Sequence, residues 1–406
     1  MDLKEVIKKQ AEQYDSFYLY DENVIKENVR SLKKAFPEVE FLYSIKCNPE
    51  RHVLDSIFAE GFGADAASLG EVIKAKDAGL PKEKIYYSAP GKTVKDIREA
   101  IGYSVIIADS LYEMENIDRI SAERNTVTDI GVRINPAFSY FGEDGTAGPS
   151  KFGIDEDQFY GFLENNKLKN IRITGLHVHL RSQELDPAAI LRYYEKMTML
   201  ASRIKAALGA ELEYVNMGSG IGITFSPEDK AIDIAALGSQ AKACLDEFRK
   251  ANPHTRVIIE TGRYASGKSG IYVTKVLDRK VSHGKTFLIL KNTLNGFVRP
   301  ALTNMARLHA GDRDAAMWEP MFTSIDAFQY SALKDGPADE KVTLVGNLCT
   351  STDMVVDGIM MPHLEPGDLI IMNNAGAYAA VMTPMQFASL EPPKQLFLTV
   401  DGRVLA

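Results

Sequence analysis

Short runs of apolar residues alternate with longer amphipathic segments through the N-terminal part of the chain. Apolar runs of this length are typical of strands buried on both faces, whereas the longer segments have the period of a helix. The sequence therefore predicts eight strands, which are Phe41–Lys46, Phe62–Ala66, Ile85–Ser88, Ser104–Ala108, Ile130–Ile134, Ile173–Leu180, Glu213–Met217 and Arg256–Glu260.

Helical segments separate these strands, and a further helix is expected over Glu22–Phe36, before the first strand. Parallel strands need such crossovers, because each helix covers one face of the sheet. Eight strand–helix units are typical of a closed, TIM-like (β/α)8 barrel. A doubly wound open sheet, which uses the same units with fewer strands, is the second interpretation. The expected crossover helices include Leu69–Gly79, Thr93–Ile101, Leu111–Arg124 and Pro187–Leu208.

Beyond about Tyr264 the pattern changes to strands without regular helices between them, which predicts a separate β-rich domain. The strand-like Ser16–Tyr20 is expected to join this domain. We therefore expect a barrel over 22–268 and a β-sandwich or β-barrel-like domain over 269–406 together with 1–21. The strands predicted in the C-terminal part are Ile271–Val281, Phe287–Leu290, Phe322–Phe328, Val342–Val345, Leu369–Met372 and Leu396–Val400.

Composition excludes several classes of protein. With 45% hydrophobic and 25% charged residues, the chain has the average composition of a globular protein and not that of a disordered one. Its net charge of −8 disfavours binding to nucleic acid, and no apolar run reaches the ~20 residues of a membrane-spanning helix. Three unclustered cysteines (Cys47, Cys244 and Cys349) indicate reduced thiols and a cytoplasmic protein.

Candidate chemistry lies at the carboxyl ends of the strands, where parallel barrels carry their active sites. The loops after strands seven and eight contain Gly218-Ser219-Gly220 and Gly262-Arg263. Glycines let backbone N–H groups approach phosphate oxygens, and an arginine adds a charge-assisted hydrogen bond. Gly-Ser-Gly alone is equally typical of a tight turn. Because an arginine follows the neighbouring strand, we predict a phosphate site.

Lys46 ends the first strand and Glu260 ends the eighth. A lysine in that position commonly extends to the surface, but here it is expected at the same mouth as the phosphate site. An amine, a phosphate site and a carboxylate together fit pyridoxal 5′-phosphate. The lysine binds this cofactor covalently, and the acid keeps a proton on its pyridine nitrogen.

His177 and His179 lie on the same side of strand six and have two interpretations. A His-x-His pair suits a zinc ion, but the sequence offers no obvious third ligand. We favour an imidazole stacked on the pyridine ring for one histidine and a buried structural role for the other, and we predict no metal.

These motifs, taken in order, resemble the fold-type III pyridoxal-phosphate decarboxylases, which include the ornithine, diaminopimelate and carboxynorspermidine decarboxylases and have an alanine-racemase-like barrel. The resemblance covers nearly the whole chain. The matching segments are Phe17–Asp21, Tyr43–Asn48, Asp65–Ser68 with Glu71, Ser150–Gly153, Gly175–His179, Gly218–Gly220, Glu260–Arg263, Arg299–Leu302, Cys349–Asp353 and Gly376–Tyr378.

The resemblance implies a role for each matching residue. Lys46 holds the cofactor, His179 stacks on its ring and Glu260 protonates its nitrogen. Cys349 is the general acid that protonates the substrate carbon after carbon dioxide leaves, and a second subunit of a homodimer supplies it. Arg299 binds a substrate carboxylate. With Asp65 and Arg133 from the strand ends, the expected cofactor site comprises Lys46, Asp65, Arg133, His179, Ser182, Gly218, Ser219, Gly220, Glu260, Gly262, Arg263 and Tyr378.

Departures from the family pattern concern the substrate. Thr350 stands where the ornithine branch has aspartate and the diaminopimelate branch glutamate, each of which binds the distal amine of its substrate. Losing that carboxylate in a desolvated site costs several kcal/mol, unless another acid such as Asp353 replaces it. Arg181, in place of the usual glycine, suits an anionic substrate or an ion pair with a surface acid. Lys291 also makes the pocket less suited to a cationic side chain.

We therefore expect decarboxylation of a small amino-acid-like substrate whose distal end is conjugated, carrier-linked or acidic, as in siderophore and antibiotic pathways. A diaminopimelate or other diamino acid decarboxylase is the first alternative. A racemase of the same barrel type is the second, but racemases usually place an arginine, not a glutamate, against the ring nitrogen. A non-catalytic relative is disfavoured because Lys46, Glu260 and Cys349 are all present.

Overall fold

The computed structural model describes residues 2–140, 148–218 and 220–305, the backbone of 306–310, and residues 328–406. The chain divides into two compact units. The barrel unit comprises Glu27–Gly222 and Ala231–Tyr264, and the β unit comprises Met1–Lys26, Ile223–Lys230 and Ala265–Ala406. No helix of the described residues is both long enough and apolar enough to cross a membrane.

The bounds of the elements follow in chain order. The strands are β1 (Ser16–Asp21), β2 (Glu40–Ser44), β3 (Gly63–Ala66), β4 (Ile85–Tyr87), β5 (Val105–Ala108), β6 (Thr128–Asn135), β7 (Ile154–Asp155), β8 (Ile171–His177), β9 (Tyr214–Asn216), β10 (Arg256–Thr261), β11 (Gly270–Ser282), β12 (Lys285–Leu290), β13 (Tyr330–Ala332), β14 (Glu340–Gly346), β15 (Met354–Met361), β16 (Leu369–Met372), β17 (Lys394–Leu398) and β18 (Val404–Leu405). The helices are α1 (Leu3–Ala11), α2 (Glu22–Ala35), α3 (Arg51–Ala59), α4 (Leu69–Asp77), α5 (Val94–Ala100), α6 (Leu111–Glu123), α7 (Glu156–Asn165), α8 (Pro187–Leu208), α9 (Ile234–Ala251), α10 (Arg263–Ser266) and α11 (Arg299–Ala310).

The barrel unit is a closed parallel barrel of eight strands. Its order is β2-β3-β4-β5-β6-β8-β9-β10, and pairing of β10 with β2 closes the ring. All eight predicted strands are present, so the barrel prediction is confirmed and the open sheet is wrong. The short β7 pairs with the end of β6 outside this ring.

Aromatic side chains fill the barrel below its mouth. The ring of Tyr214 crosses the interior and meets that of Tyr86 edge to face, with centroids 5.1 Å apart. Two glycines make room for it, since a Cβ on Gly175 would lie 2.0 Å from Cζ of Tyr214 and one on Gly131 would lie 2.4 Å from its hydroxyl oxygen. The interior is therefore packed at this level.

The β unit is built on a nine-stranded sheet of order β15-β14-β12-β11-β1-β17-β18, with β16 paired to β11 and β13. The predicted N-terminal strand β1 lies in the middle, antiparallel to β11 and parallel to β17. Helix α1 covers one face and buries Val6 and Ile7 against Phe17, Val273 and Leu396.

The C-terminal expectations were less accurate than those for the barrel. Helix α11 shows that the expectation of strands without helices was wrong, and strands β13, β15 and β18 were not predicted. All but the last residue of the predicted strand Phe322–Phe328 lies outside the described residues.

Candidate active site

Lys46 lies at the carboxyl end of β2, in a short 3-10 turn over Ile45–Cys47. Its Nζ is 3.3 Å from Oδ2 of Asp65, at the end of the neighbouring strand β3. Asp65 is fully buried and accepts two further hydrogen bonds, from the hydroxyl of Ser44 (2.9 Å) and that of Ser88 (2.5 Å). Three donors, at or just beyond the ends of the two strands that flank β3, thus contact one carboxylate.

The charge state of Lys46 follows from these neighbours. Burial of the ammonium group disfavours its charge, but the carboxylates of Asp65 and Glu260 outweigh this and raise the pKa of Lys46 above its usual value. Its side chain nevertheless keeps 42% of its surface exposed. The amine is therefore held near two anions yet accessible from the mouth.

Glu260 lies at the end of β10 and is only 2% exposed. Its Oε1 accepts a hydrogen bond of 2.8 Å from Nδ2 of Asn216, and Nε2 of His177 lies 3.1 Å from the same oxygen. Nδ1 of His179 lies 3.6 Å from Oε2. Both histidines of the His-x-His pair therefore face this carboxylate.

These contacts set the protonation of the cluster. Burial opposes the charge on Glu260, but His177, His179 and Lys46 lower the pKa of this carboxyl below its usual value. Burial also lowers the pKa of His179 to about 3, with Lys46 and Arg133 acting in the same direction and Glu260 opposing them. The structure thus combines an ionised acid with a neutral imidazole that has 25% of its side-chain surface exposed.

Arg263 and Ser182 come together at the same end of the barrel, with Nη1 of Arg263 donating to Oγ of Ser182 at 2.9 Å. Gly262 precedes the arginine and packs against Cys47, since a Cβ at position 262 would lie 2.2 Å from the cysteine Sγ. A larger residue would therefore displace either Arg263 or the turn that carries Lys46.

The glycine turn after β9 begins at Gly218. Gly218 has φ +66°, and a Cβ there would lie 2.5 Å from the carbonyl oxygen of Val178, so the turn requires glycine. Its N–H, however, donates to Oδ1 of Asn216 at 2.9 Å. This N–H is thus bonded within the turn, and the phosphate-binding role of Gly218 stays a prediction. Ser219 lies outside the described residues, and the buried Gly220 follows it.

Arg133, at the end of β6, connects several parts of the mouth. Its guanidinium is 3.4 Å from a carboxylate oxygen of Asp109 and donates to the carbonyl of His179 at 3.4 Å. It also lies over the ring of Phe152, 4.5 Å from the centroid. Asp109 in turn accepts a hydrogen bond of 3.1 Å from the N–H of Gly153. Arg133 therefore supports the segment that carries His179.

Arg181 follows β8 and pairs with Glu184, with Nε donating to Oε2 at 2.9 Å. The other oxygen of Glu184 accepts the backbone N–H groups of Leu185 and Asp186 at 2.9 and 2.8 Å. Arg181 thus pairs with an acid, as one of its two interpretations expected, but this acid is buried and does not lie at the surface. A contact with substrate stays a prediction.

In the β unit, the predicted substrate residue Asp353 is 3% exposed and holds a loop together. Its Oδ1 accepts from the hydroxyl of Thr293 and from the N–H of Leu294 at 2.9 Å. Its Oδ2 accepts the N–H of Leu348 at 2.9 Å. The interpretation of Asp353 as a replacement acid for substrate is therefore corrected, because both oxygens are bound within the loop.

The loop that Asp353 anchors carries Cys349 and Thr350. Cys349 is an exposed free thiol. Thr350 is half-buried, and its hydroxyl lies 2.9 Å from that of Thr352. The residues from 347 to 352 are uncharged, so this loop presents a thiol and hydroxyls without a free carboxylate.

Arg299 and Tyr378 also belong to the β unit. The guanidinium of Arg299 lies between the rings of Phe225 and Phe328, 4.8 and 5.2 Å from their centroids, and donates to the carbonyl of Ala377 at 3.3 Å. Tyr378 adopts φ +51°, an unusual conformation for a bulky residue. The roles predicted for both, in carboxylate and phosphate binding, stay predictions.

The residues of the barrel unit fit pyridoxal phosphate. Lys46 supplies an amine beside a fixed carboxylate, and Glu260 supplies a buried, ionised acid that can hold a proton on a pyridine nitrogen. Arg263 with Ser182 supplies donors for a phosphate. These three functions lie at one end of one barrel.

Comparison with known proteins identifies the family. The family model described as "Pyridoxal-dependent decarboxylase, pyridoxal binding domain" matches residues 22–267. The chain belongs to this family. It is therefore a pyridoxal-phosphate-dependent decarboxylase, and the predicted enzyme class and cofactor are confirmed.

Curated relatives span nearly the whole chain. A protein of Niallia circulans named L-glutamyl-[BtrI acyl-carrier protein] decarboxylase is 30% identical over 390 residues, which cover 94% of this chain and 88% of that protein. The diaminopimelate decarboxylase of Aquifex aeolicus is 29% identical, over 90% of this chain and 82% of the relative.

Solved structures agree with this assignment. Diaminopimelate decarboxylase of Helicobacter pylori, complexed with L-lysine, has a TM-score of 0.81 and 25% identity, over 100% of this chain and 95% of that chain. The lysine/ornithine decarboxylase of Vibrio vulnificus, complexed with cadaverine, has a TM-score of 0.77, 97% and 98% coverage, and 23% identity, which shows the shared fold alone.

Four polar residues at the mouth were not predicted. Ser44 and Ser88 bind Asp65, Asn216 binds Glu260, and Asp109 binds Arg133. Each is a polar residue at or just beyond the end of an otherwise apolar strand. That position was the available signal, because a buried polar side chain at a strand end needs a partner.

Proposed function

We propose that this enzyme decarboxylates an α-amino acid unit whose distal end is not a free amine. The observation that carries the proposal is the uncharged loop containing Thr350, at the position where diamino acid decarboxylases carry an acid. A distal ammonium group brought into such a loop would lose water without gaining a carboxylate. A neutral, conjugated or carrier-linked end avoids this cost.

The anchoring of Asp353 supports the proposal. The loop from 347 to 353 contains one acid, and its two oxygens accept three hydrogen bonds from Thr293, Leu294 and Leu348. Turning this carboxylate toward a substrate would leave buried donors without partners, at about 1–3 kcal/mol each. Asp353 is therefore unsuited to replace the acid missing at position 350.

The relative from Niallia circulans supports a carrier-linked substrate, because its name specifies an L-glutamyl group on an acyl-carrier protein. In such a substrate the distal carboxyl is conjugated, and the α-amino acid end remains free to react. This chemistry matches an uncharged Thr350 better than it matches a substrate with two amines.

Each residue of the barrel mouth has a role in the proposal. Lys46 carries the cofactor, Glu260 maintains a proton at its ring nitrogen, and Arg263 with Ser182 binds its phosphate. When bound, pyridoxal phosphate supplies the electron sink that accepts the electron pair left by departing carbon dioxide. Cys349 then donates a proton to the substrate Cα, and Arg299 binds a carboxylate of the substrate.

Measurement of carbon dioxide release from a substrate panel tests the proposal. The panel comprises L-ornithine, L-lysine, meso-diaminopimelate, L-glutamate, L-glutamine and the γ-thioester of L-glutamate with N-acetylcysteamine. We expect the highest kcat/KM for the thioester, which imitates a carrier-linked chain. Turnover of L-lysine, L-ornithine or meso-diaminopimelate at a higher kcat/KM than the thioester would contradict the proposal.

The variant Thr350→Glu tests the observation itself. Restoring a carboxylate should raise kcat/KM for meso-diaminopimelate or L-lysine relative to the thioester by about 10-fold or more, since one charged hydrogen bond is worth about 1.5–3 kcal/mol. Thr352→Glu places the same charge two residues away, on an exposed position of the same loop. An equal change in both variants would show that net charge, and not position 350, determines the preference.

Diaminopimelate decarboxylation is the second candidate. It is favoured by the diaminopimelate decarboxylases among the relatives and by Arg299, which matches a carboxylate-binding position of that branch. The substrate panel separates the two candidates directly.

A racemase is not supported, because an ionised glutamate, not an arginine, lies at the expected ring-nitrogen position.

We further propose that the active unit is a homodimer in which Cys349 acts in the site of the other copy. Mixing Lys46→Ala with Cys349→Ala subunits tests this arrangement, because a mixed dimer then contains one intact site. Recovery of about a quarter of wild-type activity after subunit exchange is expected. No recovery, with exchange verified by mass spectrometry, would contradict it.

A further inference from the structure

Asn216 belongs to a closed set of hydrogen bonds at the barrel mouth. Its Nδ2 donates to Oε1 of Glu260 at 2.8 Å, and its Oδ1 accepts the N–H of Gly218 at 2.9 Å. The carbonyl of Gly218 in turn accepts the N–H of Glu260 at 2.8 Å. Asn216 is fully buried. One amide side chain therefore connects the acid at the end of β10 to the glycine turn after β9.

The two oxygens of Glu260 have different surroundings. Oε1 has Asn216 at hydrogen-bond distance and Nε2 of His177 at 3.1 Å. Oε2 has Nδ1 of His179 at 3.6 Å, which is longer than a hydrogen bond. Oε2 is therefore the oxygen that can receive a new donor, and Oε1 is the oxygen through which the protein acts on the acid.

Donors on Oε1 affect a proton held at Oε2. When a carboxylate and a ring nitrogen share a proton, the proton stays on the group with the higher affinity for it. Each hydrogen bond to the charged carboxylate lowers the proton affinity of that carboxylate. The titratable groups facing Glu260 are His177, His179 and Lys46, and together they lower its pKa. Asn216 acts alongside them without titrating itself.

We propose that Asn216 is a positioning residue that holds Glu260 ionised through Oε1 and thereby leaves the proton on the cofactor's ring nitrogen. This inference concerns any substrate, so it is independent of the proposed substrate class. The proposal also accounts for the hydrogen bond from the N–H of Gly218 to Oδ1 of Asn216. This bond orients the amide whose Nδ2 donates to Glu260.

The test measures the ring nitrogen itself. Apo-protein is reconstituted with pyridoxal phosphate labelled with 15N in the ring, and the 15N chemical shift is recorded at a fixed neutral pH. In Asn216→Ala the ratio of protonated to unprotonated ring nitrogen should fall by about 10-fold, because loss of a hydrogen bond to the charged carboxylate raises the proton affinity of Glu260 and moves the shared proton toward it. Asn252→Ala is the matched control, because Asn252 is also buried in the barrel unit but bonds to Phe248 and Lys205. It should leave the 15N chemical shift unchanged.

A second variant keeps the proposal testable if Asn216→Ala does not fold. Asn216→Asp keeps an acceptor for the N–H of Gly218 but places a carboxylate against Oε1 of Glu260. Two carboxylates in contact raise the proton affinity of the pair, so the 15N chemical shift at the same pH should again move toward that of an unprotonated ring nitrogen. A purely structural role would lower the stability of the apo-protein without changing the 15N chemical shift of the bound cofactor. An unchanged chemical shift, or one closer to that of the protonated nitrogen, in either cofactor-bound variant would overturn the proposal.

Discussion

The barrel mouth and the loop from 347 to 353 differ in their charged residues. In the mouth, Lys46, Asp65, Arg133 and Glu260 form a dense set of charges whose partners come from several strands. In the loop, the single charge of Asp353 is used to hold the backbone, and the residues that precede it are uncharged. The mouth thus provides fixed charges for cofactor chemistry. In the proposed function, the loop would influence the substrate through the charge that it lacks.

This difference follows from what each region has to do. Stabilising charge that develops during a reaction requires dipoles and ions that are already oriented, which a rigid barrel can hold. Selecting a substrate requires only a difference in free energy between two ligands, and an absent carboxylate is sufficient to disfavour a cation. Single substitutions in the two regions should therefore have different consequences.

The largest effect is expected from Lys46→Ala. Without the amine that carries the cofactor, decarboxylation should fall by roughly 10³-fold or more. The absorbance of the bound cofactor near ~420 nm should disappear. Steady-state assays and absorbance spectra measure both changes. Lys84→Ala, at an exposed lysine of the same unit, serves as the control. Retention of the absorbance band by Lys46→Ala would contradict the assignment of this lysine.

Glu260→Gln should have the second largest effect. The neutral amide keeps the shape of the side chain but no longer stabilises a proton on the ring nitrogen, so kcat should fall by about 10²–10³-fold. Binding of the cofactor should weaken much less, because Arg263 and Ser182 remain. Single-turnover kinetics with loaded enzyme separate the two effects. A fall in cofactor affinity with unchanged kcat would show that Glu260 acts only in binding.

Asp353→Asn should destabilise the loop region without affecting the mouth. Replacing one carboxylate oxygen by an NH2 group places two donors against each other, at a cost of about 1–3 kcal/mol of unfolding free energy. Urea unfolding of the apo-protein measures this change, and Asp401→Asn, at an exposed position, is the control. The absorbance of the bound cofactor should remain as in the wild type. An unchanged unfolding midpoint would show that the loop does not depend on Asp353.

The smallest expected effect is a dependence of the unfolding free energy on pH, caused by His179. Burial lowers the pKa of His179 to about 3, whereas an unfolded histidine binds a proton below about 6.5. Between these values the unfolded state binds more protons, so stability should decrease as the pH falls from 6.5 towards 5. The contribution is at most about 1.4 kcal/mol per pH unit. In apo His179→Gln, the free energy of unfolding measured with urea should change less steeply with pH than in the wild type. The control His254→Gln, at an exposed histidine, should keep the wild-type dependence on pH.

The barrel was predictable because its signal is local. Each buried strand is a continuous apolar run, and eight such runs separated by helices are typical of a closed barrel. Strand β15 was missed because Asp357 and Gly358 interrupt its apolar pattern, and its pairing with β14 shifts register. Helix α11 was missed because a β-rich pattern was extended across Arg299–Ala310.

The main groups of the site were predictable, but their partners were not. Lys46, Glu260 and Arg263 stand out because charged residues at the ends of apolar strands are unusual. Ser44 binds Asp65 across 21 positions of sequence, and Asn216 binds Glu260 across 44. Such pairs arise from the register of neighbouring strands, which sequence periodicity does not specify.

The base of the loop is packed without spare volume. A Cβ on Gly346 would lie 1.7 Å from Oγ1 of Thr293 and 2.1 Å from Oδ2 of Asp353, so all three residues constrain one another. Positions 349 to 352 lie beyond this constraint. A lineage of such enzymes could therefore exchange residues at the tip one at a time, acquiring new substrates while the backbone that presents them stays the same.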